Sequence, residues 1–194
     1  DNIDIEAATD NGIYVANVIY NIFDVADHTI SLALSALRRI ASADDSVKSG
    51  VWDWNNFKPI PRLKGKTYGI IGFGRVGKEI ALRMKGFGVE LISYDPYVPD
   101  EDFKEHGVNK VDLETVFQES DMLSIHVALT EETFHMINEE TLQKMKKTAI
   151  LVNASRGPVV DEKALYKALK EKWITGAGID VMEKEPPDRD NPLF

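Results

Sequence analysis

A doubly wound parallel α/β sheet is the fold this sequence predicts. Strand-length apolar runs alternate with helix-period segments from Thr67 to Val181, the first run feeds a glycine-rich turn, and an acid closes the second. Thr67 to Ile71 is rich in β-branched and aromatic residues and reads as a buried strand. It runs into Gly72-x-Gly74-x-x-Gly77, and a helical pattern follows with Val76, Ile80 and Met84 on one face, stopping at Gly86-Phe87-Gly88. Val89 to Tyr94 is a second strand, ending on Asp95 and closed by Pro96.

Each piece of this unit has a physical task. Gly72 permits the tight turn out of the strand, Gly74 lets the backbone approach a pyrophosphate, and Gly77 lets the helix pack on the strand. The helix N-terminus turns unpaired N–H groups and a positive dipole end towards phosphates. Asp95 lies eighteen residues past Gly77 (95 − 77), where a carboxylate can accept both hydroxyls of an adenine ribose. Strand, turn, helix and acid together predict a Rossmann-type dinucleotide site. No Arg or Lys follows Asp95 through Asp102, so a 2′-phosphate would meet a carboxylate, which favours NAD over NADP.

Before this unit, Asp4 to Asn11 reads as a short helix stopped by Gly12, and Ile13 to Ile19 as a strand. Asp24-Val25-Ala26-Asp27 is a capped helix start with acids in its first turn. Ile30, Leu34, Leu37 and Ala41 continue that helix. Leu32 and Ala36 widen its apolar stripe, which predicts burial on two sides. Asp44 to Gly50 is polar and expected as a loop, and Trp52, Trp54, Phe57, Pro59 and Pro61 as a hydrophobic strap over the sheet.

After Asp95 the alternation continues. A helical stretch ends near His106-Gly107, and Asn109 to Val111 is a short strand. Asp112 caps a helix through Gln118, and Met122 to Val127 is a strand. Asn138 caps a helix to Lys146, Ala149 to Asn153 is a strand, Asp161 caps a helix to Lys172, and Ala177 to Val181 is the last strand. Alternating strands and helices mean a parallel sheet covered on both faces.

The chain has 194 residues, enough for one generous domain or one domain and a piece of another. Its apolar content of 43% supports a core, and no stretch approaches a membrane span. The net charge of −9 speaks against a nucleic-acid backbone as partner. Without cysteine the chain has no disulfide, thiolate metal site or cysteine nucleophile. No signal or transit pattern is visible in a chain that begins at Asp1, and a cytoplasmic location is the expectation.

Ligands of parallel α/β sheets lie beyond the carboxyl ends of the strands. The candidates there are Gly72 to Gly77, Asp95, His126 to Thr130, Ala154 to Pro158 and Asp180 to Glu185. Arg156 is a planar, permanently charged fork at the mouth of the cleft, suited to a carboxylate or carbonyl oxygen and equally to a cap or salt bridge. Of the four histidines, His106 reads as a helix C-cap and His28 and His135 as structural; His126 lies at a strand end, where facing the core or an adenine outweighs catalysis.

The residues also carry a resemblance. Asp1-Asn2-Ile3-Asp4, Val25-Ala26-Asp27-His28 and Gly69 to Gly77 are similar to the D-isomer-specific 2-hydroxyacid dehydrogenases. So are Tyr94-Asp95-Pro96, His126 to Thr130, Val152 to Glu162 and Asp180 to Pro187. The motifs match in order over nearly the whole chain, in a phosphoglycerate dehydrogenase-like pattern. The resemblance implies that Arg75 and Val76 contact the pyrophosphate, and Asp95 the adenosine ribose. Val127, Ala154, Ser155 and Arg156 would line the cofactor cleft, Asp180 would approach the nicotinamide, Arg156 would also hold the substrate carboxylate, and Glu185 would support an acid–base histidine that lies beyond Phe194. It also implies a remnant of a substrate-binding domain at 1–22, an NAD-binding domain at 23–194, a small 2-hydroxy or 2-oxo acid as substrate and a homodimer. A non-catalytic NAD-sensing corepressor-like module of the same family is the alternative. Ala128 departs from the family's usual proline, and Ile19-Tyr20-Asn21 from its usual domain junction.

Overall fold

Six parallel strands form the centre of the computed structural model, which describes residues 3–16 and 21–194. They are β1 (Thr67–Ile71), β2 (Glu90–Tyr94), β3 (Asn109–Lys110), β4 (Met122–Ile125), β5 (Ile150–Asn153) and β6 (Gly176–Ile179). Across the sheet their order is β3-β2-β1-β4-β5-β6. The chain steps outwards from β1 to β3, returns to place β4 beside β1, and then steps outwards the other way. That reversal opens a crevice at the carboxyl ends of β1 and β4, where doubly wound sheets hold their ligands.

The register decides which residues stand there. Ile71 pairs with Tyr94 on one side and Ile125 on the other, Ile125 with Asn153, and Asn153 with Ile179. One residue further along, Gly72, Asp95, His126, Ala154 and Asp180 therefore form a row along one edge of the sheet.

Two helical layers cover the sheet. On one face lie α2 (Ile22–Arg38), α4 (Arg75–Met84) and α5 (Asp100–Glu105); on the other lie α6 (Leu113–Glu119), α7 (Glu139–Lys144) and α8 (Glu162–Lys170). Side chains alternate along a strand, so Ile70, Met122 and Ile150 face the first layer while Ile71, Leu123 and Leu151 face the second. Each such burial contributes about 1.5–3 kcal/mol, and coverage on both faces explains why the strands read as unbroken apolar runs. Asp112, Asn138 and Asp161 cap α6, α7 and α8 as the sequence predicts. Several ends fall one or two residues inside the expected ones, as at β4, α7, α8 and β6.

The largest differences lie before β1. The first long helix is capped by Asn21, whose side chain accepts from the Phe23 N–H at 3.1 Å, and not by Asp24. It stops at Arg39, which adopts the left-handed conformation (φ 54), so it does not reach Ala41. The expected loop at 44–50 is mostly helix, α3 (Ile40–Lys48): no glycine or proline interrupts it, and Lys48 pairs with Asp44 one turn back at 2.5 Å. The wide stripe of α2 is buried on two sides, but within this chain, between α4 on one side and β5 and β6 on the other.

Trp52 and Trp54 do not strap the sheet. They are 86% and 65% exposed, because helices already cover both sheet faces and the segment lies instead beside Arg38, Val47 and Val51. The Lys58 ammonium sits 3.7 Å from the Trp54 ring centre. Near the N-terminus, α1 (Ile5–Asp10) forms as expected. Residues 13–16 of the expected strand at 13–19 are irregular and exposed; 17–19 lie outside the described residues.

Candidate cofactor and substrate site

The three glycines of the turn have different physical causes. Gly72 sits at φ 91, and a Cβ there would lie 2.5 Å from the His126 carbonyl oxygen. A Cβ on Gly77 would lie 2.3 Å from the Gly72 oxygen, so helix and turn could not approach. At Gly74 a Cβ would meet nothing within 4 Å. The fold itself demands the first and third glycines, while the second borders open space where a phosphate group would fit. Gly74 is also the N-cap of α4 and supplies no side-chain cap, leaving that end to a ligand. Arg75 is exposed at this end, and Val76 is half-buried against the core.

Asp95 is held before any ligand arrives. Its Oδ2 accepts from the Phe73 N–H at 2.8 Å and its Oδ1 from the Tyr97 N–H at 2.9 Å. Phe73, an unassigned position in the glycine turn, explains the first bond. Its ring is fully buried and stacks on Phe103 at 4.5 Å, with His106 edge-on at 5.7 Å. The apolar anchor fixes the turn, and the fixed turn aims an N–H at the carboxylate. Sequence reasoning missed this residue, although a large aromatic between two required glycines was its signal.

Beside Asp95 opens a cavity of about 660 Å³ lined by Gly72, Gly74, Asp95, Tyr97, His126 and Val127 among others. The Tyr97 hydroxyl donates to Glu132 at 3.0 Å, joining the β2 and β4 loops at its rim, and the Glu132 carboxylate raises the phenol pKa. Ligand-sized volume, an apolar wall and one fixed carboxylate are what the adenosine half of a dinucleotide requires.

His126 faces this cavity in part, yet its Nε2 is sealed from solvent without a hydrogen-bond partner. The nitrogen's surroundings set its proton affinity, and burial pushes the pKa from 6.5 down to about 3. A ring whose charged form is disfavoured in this way suits a place in the cavity wall, the position the sequence leads one to expect. The unfolded chain takes up this proton near pH 6.5 and the folded chain only near 3, so acid favours unfolding. Between pH 7 and 5 this group alone is expected to remove about 2 kcal/mol of stability. Urea unfolding at both pH values checks it: His126→Leu should show a smaller loss than the parent, and an unchanged loss would contradict the burial.

The tips of β5 and β6 form a second cluster. Asn153 is buried; its Oδ1 accepts from the Ser155 N–H and hydroxyl, and its Nδ2 donates to the Arg156 carbonyl at 2.9 Å. This missed residue shapes the Ala154-Ser155-Arg156 turn, and an asparagine ending an apolar strand was the available signal. Arg156 is exposed, with Nη1 donating to the Ser155 carbonyl at 2.7 Å. Gly157 packs so tightly on the following segment that a Cβ would lie 1.9 Å from the Met182 oxygen. Glu185 accepts from the Met182 N–H at 2.9 Å, so this contact gathers Arg156 and Glu185 on one rim.

Asp180 donates its N–H to the Asn153 carbonyl at 3.0 Å, and its carboxylate meets His28 Nε2 at 3.0 Å. His28, expected as a structural residue of the long helix, thus reaches the sheet edge through this bond. His135 lies 3.3 Å from Glu183, and His106 ends α5 with Nδ1 at 2.8 Å from the Asp102 carbonyl. The structure brings Gly72, Gly74, Asp95 and Val127 to the cavity. Arg75, Val76, Gly77, Ala154, Ser155, Arg156, Asp180 and Glu185 fall outside it, at the helix end or along the β5–β6 rim. Among the described residues no helix is long and apolar enough to cross a membrane, and no group of acids and histidines is arranged to hold a metal ion.

Comparison with known proteins agrees with this geometry. The NAD-binding domain of the D-isomer specific 2-hydroxyacid dehydrogenases matches residues 30–194. A glyoxylate reductase of Korarchaeum cryptofilum is 52% identical over 199 residues, covering 100% of this chain and 60% of that protein. A D-3-phosphoglycerate dehydrogenase of Methanocaldococcus jannaschii is 48% identical over 196 residues, covering 100% of this chain and 37% of that one. The solved D-lactate dehydrogenase of Aquifex aeolicus, complexed with NAD and lactic acid, superposes with a TM-score of 0.88 at 38% identity, covering 95% of this chain and 56% of that one. The chain thus spans 60% or less of the length of these relatives. With a parallel sheet of Rossmann order and a family match across most of its length, the chain belongs to the D-isomer specific 2-hydroxyacid dehydrogenases, whose NAD-binding domain it carries.

Proposed function

We propose that this chain is the cofactor-binding part of an enzyme that reduces a small 2-oxo acid to its D-2-hydroxy acid, or runs the reverse. The row of Gly72, Asp95, His126, Ala154 and Asp180 carries the reading, because it joins an adenosine cavity to the Arg156–Glu185 rim along one sheet edge. The turn from Gly72 to Gly77 with Arg75 and Val76 takes the pyrophosphate, and Asp95 the ribose. Val127, Ala154 and Ser155 line the path of the cofactor, and Asp180 meets its carboxamide. NAD(H), when bound, supplies or accepts the hydride. Arg156 holds the substrate carboxylate, and Glu185 supports a histidine outside this chain that exchanges the hydroxyl proton. Glyoxylate and 3-phosphohydroxypyruvate are the substrates to try first, after the names of the relatives.

Cofactor choice tests the adenosine end. Asp95 is held by two N–H donors and would oppose a 2′-phosphate, so NADH should bind at least tenfold more tightly than NADPH, or about 1.4 kcal/mol. Calorimetric titration of both decides it, and equal affinities would remove Asp95 from its role.

Residues 1–22 are assigned to a substrate-binding domain and 23–194 to the NAD-binding domain, and the protein is taken to be a homodimer. Ile3, Ile5, Ile13 and Tyr14 are exposed around α1, as on a surface meant for another domain. Phe23, Ile40, Val47, Val51, Trp52 and Trp54 are exposed apolar residues between the start of α2 and β1, and these, not the stripe of α2, support dimerisation. A chain trimmed to 21–194, so that α2 keeps its Asn21 cap, is expected to bind NADH and to sediment as a dimer. Loss of folding on trimming would sink the domain boundary, and a monomer at high concentration the dimer.

A further inference from the structure

His28 and Asp180 are 152 residues apart in sequence, yet Nε2 and Oδ1 stand 3.0 Å apart across the join between α2 and the tip of β6. Both side chains are about half exposed, at 51% and 48%. The backbone of Asp180 is fixed by its bond to Asn153, whereas among the described residues the hydrogen bond found for its carboxylate is the one to His28. The sheet order places Asp180 on the β4–β5–β6 half, opposite the half that holds Asp95. A dinucleotide lying across the switch point puts adenosine at Asp95 and its other nucleoside towards Asp180. We propose that His28 is a positioning residue: by donating from Nε2 to Oδ1 of Asp180 it leaves Oδ2 turned to the cleft as acceptor for the carboxamide N–H of the nicotinamide. The inference rests on the NAD reading above.

Geometry supports a built pair. A half-exposed aspartate samples several rotamers, and a ligand that needs one of them binds more weakly by the fraction of time it is absent. His28 sits on the second turn of α2, which is anchored through buried Ala26, Thr29 and Ile30, so the imidazole reaches Asp180 from a rigid base. Nearby Asp27 is engaged by Arg83 Nε at 2.6 Å, which leaves His28 as the partner of Asp180.

Two ligands separate this role from a structural one. ADP-ribose fills the adenosine and pyrophosphate sites without a carboxamide, while NADH adds the nicotinamide. In the His28→Ala chain, NADH affinity by fluorescence titration should fall about five- to tenfold and ADP-ribose affinity should stay within twofold. His28→Gln keeps an N–H donor and should restore most of the loss. Equal losses for both ligands, no loss for either, or a Gln variant no better than Ala would overturn the role. If the parent chain bound neither ligand, the NAD reading itself would fall and the inference with it.

Discussion

Alanine at Gly72 is expected to destabilise the chain by at least about 3 kcal/mol and to abolish NADH binding, while alanine at Gly74 should spare the fold and still weaken binding tenfold or more. Positive φ at Gly72 costs a Cβ-bearing residue about 1–3 kcal/mol. The contact at 2.5 Å adds to this, because it is made with a backbone oxygen that cannot turn aside. The Gly72 N–H is donated to Tyr94 and the His126 N–H to Ile71, at 2.9 and 2.7 Å, so relief on either side breaks a strand-end bond. At Gly74 φ is −72, and a methyl would meet no protein atom. It would occupy the space a pyrophosphate needs. Urea unfolding and NADH titration on both variants separate the effects. A Gly74→Ala chain that bound NADH normally would show that no phosphate passes there.

The site was legible in the sequence where its parts are covalently close. The strand, the glycine turn, the helix and Asp95 lie within one short unit, so glycine spacing and apolar period define them together. The row at the sheet edge was legible for a related reason: each member follows an apolar run, and parallel pairing leaves little freedom over which residue comes next. Asn153 escaped because a polar residue ending a strand reads as an ordinary boundary until its side chain is seen bonding the turn. Phe73 escaped because an aromatic in a glycine turn gives no hint of the N–H it aims at Asp95. His28 could not be paired with Asp180 from sequence, since 152 residues separate them and neither motif mentions the other.

The fold before β1 was less legible, for physical reasons. The break at Arg39 uses a left-handed residue without glycine, and helical period alone cannot show it. Asp44, Asp45 and Ser46 read as loop residues, but the Lys48–Asp44 pair one turn apart and packing against α2 support the helix. For Trp52 and Trp54, hydrophobicity points towards a core whose surface was already taken. Both rings are left exposed in this chain, and the proposed dimer would cover them.

Arg156→Ala, made in a longer protein that carries this domain, is expected to lower kcat/KM for the 2-oxo acid about 10²- to 10⁴-fold. A guanidinium gripping a carboxylate through two N–H bonds contributes about 2–5 kcal/mol when the pair is shielded, and each 1.36 kcal/mol is tenfold in rate. The Asn153-braced turn and the Gly157–Met182 contact fix the backbone on either side of Arg156 before substrate arrives, so only its side chain remains to be ordered on binding. Lysine keeps the charge and loses the fork, so Arg156→Lys should recover only part of the activity. NADH affinity should change far less than kcat/KM, because Asp95 and the glycine turn lie outside the altered rim. The 194-residue chain itself should bind NADH without reducing glyoxylate or 3-phosphohydroxypyruvate. Its histidines are engaged elsewhere: His28 by Asp180, His106 at a helix end, His135 beside Glu183, and His126 in the cavity wall with its Nε2 sealed from solvent. Steady turnover by this chain, abolished by alanine at any one of them, would move the acid–base role to that residue. Full activity of the Arg156→Ala protein would remove Arg156 from the substrate site.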